Sequence, residues 1–162
     1  MRTRQVTGLE ARAGVQEYVA ESPFSYEKNC LLYLPKTLEH CRRGSREEAL
    51  MVANHIHSLS CSTYGHTLVL FTSYTLMGSV YQILRDRLPF PMVEVWRHSQ
   101  EEILRFKTME NGVLFAAGSC WEGVDFPGDM VSSLIIVKLP FAVPDPISEA
   151  EKETYDSLET YI

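Results

Sequence analysis

His66-Thr-Leu-Val-Leu-Phe-Thr72 holds four apolar residues in succession, Leu68, Val69, Leu70 and Phe71, with no polar residue between them. A strand with one wet face alternates apolar and polar residues. An unbroken run predicts a strand covered on both faces, as in a parallel sheet. Downstream, Leu76, Val80, Ile83, Leu84 and Leu88 recur at helical spacing and stop at Pro89. Upstream, Ser45-Arg-Glu-Glu has the form of an N-cap with an acidic first turn, and Ala49, Val52, Ala53, Ile56 and Leu59 share one face behind it.

Farther out the alternation continues. Met92–Val95 reads as a short strand, Gln100–Phe106 as a short helix, Gly112–Ala117 as an apolar strand and Ser133–Leu139 as the last strong strand. Asn29–Leu34 reads as another buried strand, closed by Pro35, and a final helix is expected near Ser148–Tyr161. Leu9, Ala13, Gln16 and Ala20 mark one short helix near the start. Repeated strand–helix alternation predicts an α/β fold with a parallel sheet, helices on both faces and right-handed crossovers. Val69, Phe71, Leu114, Ile135 and Val137 are the expected core of its central strands.

At 162 residues, with 45% hydrophobic and 22% charged side chains, the chain has the size and composition of one globular domain. Its net charge of −6 argues against a dedicated, strongly basic nucleic-acid binder, while leaving room for a local groove. No apolar run reaches the roughly 18–20 residues of a membrane span, and Met-Arg-Thr-Arg-Gln opens no secretory signal. A cytoplasmic protein without membrane contact is expected. Cys30, Cys41, Cys61 and Cys120 form no C-x-x-C, and His40, His55 and His57 add no metal-binding spacing. Reduced, mostly buried thiols and no metal site are the expectation.

In a parallel sheet, ligands gather beyond the carboxyl ends of the strands. Two loops there are chemically unusual. Thr72-Ser73-Tyr74 places two hydroxyls and an aromatic ring at a strand-to-helix turn, where unpaired first-turn N–H groups suit a phosphate. Ser73 serves equally well as a plain N-cap. Gly118-Ser-Cys-Trp-Glu-Gly-Val-Asp-Phe-Pro-Gly128 carries three glycines, a tryptophan and two carboxylates, Glu122 and Asp125. Such residues fit close backbone approach to a ligand and a carboxylate that meets a ribose hydroxyl or an arginine; a tight turn with Trp121 packed inward is the alternative. No G-x-x-x-x-G-K-[ST] string exists, so the chain cannot cradle a triphosphate alone.

Four segments resemble the DinG/XPD-like branch of superfamily-two helicases, in the second RecA-like motor domain. They are Ser-Pro-Phe-Ser-Tyr-Glu-Lys (22–28), Leu-Val-Leu-Phe-Thr-Ser-Tyr (68–74), Ser-Cys-Trp-Glu-Gly-Val-Asp-Phe-Pro-Gly (119–128) and Ile-Ile-Val-Lys-Leu-Pro-Phe-Ala-Val-Pro-Asp-Pro (135–146). They run in the family order, and the resemblance extends over nearly all of the chain from about residue 8. The resemblance implies a RecA-like three-layer sandwich, incomplete at its C-terminal end. It implies a connecting segment over 1–24 and the motor domain over 25–162.

By the same resemblance, Thr72, Ser73 and Tyr74, with Phe71, correspond to helicase motif IV, on the single-stranded DNA track. Ser119, Cys120 and Trp121 fall in motif V beside the nucleic-acid backbone. Gly118, Glu122, Gly123 and Asp125 fall at the junction with the ATP cleft, and Lys138-Leu-Pro-Phe141 at the strand end that follows. The implied function is an ATP-dependent DNA helicase, with a role in DNA repair, whose ATP and Mg are shared with a first RecA-like motor domain. The phosphate loop, the Asp-Glu-Ala-His box and the iron–sulfur cysteines of the family belong to that first domain and are absent here; the Gln-x-x-Gly-Arg-x-x-Arg element is absent as well. The chain is therefore expected to be a fragment, inactive alone and without an iron–sulfur cluster. The alternative is a stand-alone nucleic-acid-binding or regulatory module derived from such a domain.

Overall fold

Ser45 begins the first long helix in the manner its sequence predicts: its side-chain oxygen accepts from the Glu48 N–H at 3.2 Å. The computed structural model describes residues 14–16, 18–35, 41–96, 100–118 and 120–140. They belong to two compact units, one within residues 1–36 and 142–162, the other within 37–141. The described residues of the first include one helical turn, α1 (Tyr26–Asn29). The second contains α2 (Arg46–Ser62), β1 (Thr67–Phe71), α3 (Tyr74–Leu84), β2 (Met92–Val95), α4 (Gln100–Lys107), β3 (Val113–Ala117), a 3-10 turn at Gly128–Met130 and β4 (Ser133–Ile136).

The four strands are all parallel, in the order β2-β3-β1-β4. β1 and β3 sit in the middle, and every residue of both is buried. Their side chains divide by parity, as alternation across a strand requires. Val69, Phe71, Val113 and Phe115 face the α2–α3 layer, against Ala53, Ile56, Met77, Val80 and Leu84. Leu68, Leu70, Leu114 and Ala116 face the other side, against Phe106 of α4 and the loop residues Trp121, Val124 and Phe126. This is the expected three-layer α/β fold of RecA-like type.

The turn from α2 into β1 is tightly determined. Tyr64, Gly65 and His66 all have positive φ, at 54°, 83° and 47°. A Cβ on Gly65 would stand 2.0 Å from the Asn111 carbonyl oxygen, so only glycine fits. Thr63 and Thr67 both donate to the Gly65 carbonyl, at 2.8 and 2.7 Å. The His66 carbonyl accepts from Ser132 and Ser133, which sets the start of β4.

Four expectations need correction. Asn29–Leu34 is not a buried strand: Asn29 ends α1, and Leu31, Leu32, Tyr33 and Leu34 are 55–93% exposed. An apolar run becomes a strand only beside a hydrogen-bonding neighbour, and it has none among the described residues. Residues 14–16 and 18–20 form no helix; Leu9 and Ala13 lie outside the described residues, as does the helix expected at Ser148–Tyr161. β4 ends at Ile136 rather than Leu139, with the Val137 N–H still donating to Leu70 at 3.1 Å. Outermost among the described strands, it leaves Ile135 and the following Val137 half-buried, and Leu134 and Ile136 exposed on the other face. Of the four thiols only Cys120 is buried; Cys30 is exposed.

Candidate nucleic-acid interface

The loop after β1 is short and polar. Thr72 and Ser73 are exposed, and Tyr74 opens α3. The Ser73 hydroxyl accepts from the Leu76 N–H at 3.3 Å, so Ser73 is the helix cap. Thr72 makes no side-chain hydrogen bond among the described residues and lines a cleft.

The loop after β3 leaves to the opposite side of the sheet. Gly118, with φ +76°, makes the first bend; a Cβ there would sit 3.0 Å from the Tyr74 hydroxyl. The glycine thus lets the two loops touch. Ser119 lies outside the described residues. Cys120 is buried among the Leu68–Leu114 cluster, and burial pushes its thiol pKa up. Trp121 is half-buried and donates its indole N–H to the Phe71 carbonyl at 3.2 Å. Phe126 closes the loop edge-on against Phe106, with ring centroids 5.6 Å apart. Between these anchors Glu122, Gly123 and Asp125 are exposed, and neither carboxylate has an ion-pair partner among the described residues.

β1 and β3 are neighbours, and their last residues, Phe71 and Ala117, are partners in register. The chain after one strand goes to the α2–α3 face, and the chain after the other goes to the α4 face. Such a divergence between adjacent parallel strands is a topological switch point, the usual place for a ligand in an open α/β sheet. Thr72, Ser73, Tyr74, Gly118 and Trp121 are brought together there.

A cleft of about 290 Å³ adjoins the β1 loop, lined by Thr72, Ser73 and Thr75 on one side and by Arg43, Glu48 and Lys138 on the other. Lys138, just past β4, donates to Glu48 Oε1 at 2.5 Å, and the Gly44 N–H donates to the other carboxylate oxygen at 2.6 Å. The Lys138 hydrogen bond holds the Glu48 carboxyl below its ordinary range despite its burial. Glu48 and Arg43 were not foreseen as site residues, since Glu48 is ninety residues from Lys138 and only the tertiary fold brings both to the cleft. Trp96 was also missed: it stacks on Tyr74 with centroids 5.5 Å apart and planes 17° apart. No group of three or more potential metal ligands occurs among the described residues.

A family model described as "Helicase C-terminal domain" matches residues 56–161, well over half of the chain. The chain belongs to this helicase C-terminal family. Among curated relatives, the 3'-5' exonuclease DinG of Bacillus subtilis is 31% identical over 141 residues, 82% of this chain and 15% of the relative. The ATP-dependent DNA helicase YoaA of Escherichia coli is 30% identical over 148 residues, 88% of this chain and 23% of the relative. The ATP-dependent DNA helicase DinG of Photobacterium profundum is 34% identical over 145 residues, 84% of this chain and 20% of the relative. The helicase C-terminal domain thus spans less than a quarter of the relatives it matches. No helix among its described residues is long and apolar enough to cross a membrane.

Proposed function

We propose that the chain acts as the second motor domain of a DinG-type, ATP-dependent DNA helicase. In this reading it grips single-stranded DNA and completes an ATP cleft with a first motor domain. The observation that carries it is the switch point: two chemically distinct loops leave neighbouring strands in opposite directions and meet at Gly118 and Tyr74.

The β1 loop offers the grip. Thr72 is exposed, Ser73 caps α3, and the first-turn N–H groups of α3 suit a backbone phosphate. The β3 loop offers the junction. Glu122 and Asp125 are exposed on a segment pinned by Trp121 and Phe126, which fits carboxylates that meet a ribose hydroxyl or an arginine from a facing domain. ATP with Mg would be held mainly by that facing domain, because the residues present supply no phosphate loop. The chain alone then releases no phosphate from ATP above a buffer blank, even with excess single-stranded DNA.

Fluorescence anisotropy with a labelled single-stranded oligonucleotide tests the grip. With net charge −6, the chain neutralises few phosphates, so weak binding that disappears as salt rises is expected. Tight, salt-insensitive binding would overturn this reading in favour of a stand-alone nucleic-acid-binding module.

A further inference from the structure

Trp96 follows β2 at the carboxyl end of the sheet, the same end that carries the β1 and β3 loops. Its ring lies nearly parallel to that of Tyr74, yet 46% of the residue remains exposed. Gly78 on α3 lies beside the indole ring, at a distance where a Cβ would make an ordinary 3.6 Å contact. The tryptophan is thus held by a helix and a tyrosine, with much of its surface open to solvent. A ring fixed in this way presents a preorganised aromatic surface on which a flat partner can stack.

We propose that Trp96 is a base-stacking platform for single-stranded nucleic acid, held flat by Tyr74. The inference rests on the DNA-gripping reading above and adds a residue that the motif loops do not contain. A nucleobase is the occupant that fits best. Its π-face matches a planar platform of any sequence, and Tyr74 itself opens α3, with the exposed Thr72 two residues before it, where the sugar–phosphate backbone would run. Tyr74 thereby does two tasks: its hydroxyl approaches Gly118, and its ring supports Trp96.

Trp96 and Trp121 are the two tryptophans of the chain, so Trp121→Phe isolates the Trp96 emission. In that background, an oligo(dT) strand at low salt is expected to quench Trp96, and an abasic strand of equal length is not. By anisotropy, Trp96→Ala should weaken oligo(dT) binding by roughly five- to 150-fold, leave the abasic strand unaffected, and be largely rescued by Trp96→Phe. Equal oligo(dT) affinity in Trp96→Ala, or an emission that the strand does not change, overturns the platform while leaving the grip in place. Equal losses on both strands also overturn it, showing that the ring only supports the fold. If the unmodified chain binds neither strand, the gripping reading fails and the platform with it.

Discussion

The indole N–H of Trp121 donates to the carbonyl oxygen of Phe71 at 3.2 Å, so the loop after β3 is fastened to the last residue of β1. The tryptophan in the middle of the helicase-like string is therefore an anchor for its neighbours Glu122 and Asp125. Trp121→Phe keeps the packing and deletes the hydrogen bond. Urea denaturation should show a loss of about 1 kcal/mol; an unchanged midpoint would mean that the bond does not hold the loop.

Glu48 gives the fold a pH dependence of defined sign. Its folded pKa lies below the ordinary 4.5, chiefly through the Lys138 hydrogen bond. Its contribution is therefore complete above that ordinary value and is lost as pH falls through the depressed folded one. Lys138 is 36% exposed, which weakens the pair, so about 1–2 kcal/mol is at stake. Glu48→Gln should be less stable at neutral pH and should flatten the acid limb of a stability–pH curve.

Gly65→Ala should be among the most damaging single changes. The new methyl would need space held by the Asn111 carbonyl, at a φ of +83°. A loss of about 3 kcal/mol or more in thermal or urea unfolding is expected. A variant as stable as the parent would show that the turn before β1 tolerates a side chain at this position.

Asp125 is exposed and makes no hydrogen bond or ion pair among the described residues, so its removal should change stability by no more than about 0.5 kcal/mol. In a protein that carries both motor domains, Asp125→Ala should lower DNA-stimulated ATP turnover about fivefold or more, the size of an ordinary coupling between sites. Melting temperature, DNA affinity and ATPase measured on one preparation separate the outcomes. A variant that melts early yet keeps full activity per folded molecule would make Asp125 a turn residue.

Central strands were readable in the sequence because burial on both faces writes continuous apolar runs, as in Leu68–Phe71 and Val113–Ala117. The Ser45 cap was readable for a local reason as well: its partner Glu48 is three residues away. Cys30–Leu34 shows the limit. Its residues have the composition of a strand, but strand formation depends on a neighbour that composition does not report. At the site, the two motif loops were visible from their glycines and hydroxyls. The packed alternative for Trp121 was visible too, but its bond to Phe71, the Glu48–Lys138 pair and the Tyr74–Trp96 stack were not, because each joins segments separated in the chain.

β4 has a neighbour on one side only among the described residues, and it turns Leu134 and Ile136, 57% and 43% exposed, toward water. An open flank with greasy side chains is a template on which a second copy can zip itself through main-chain hydrogen bonds. Purified at high concentration, the chain should drift toward dimers and larger assemblies that begin along this strand. Titrations of the loops after β1 and β3 are then cleanest when the protein is dilute.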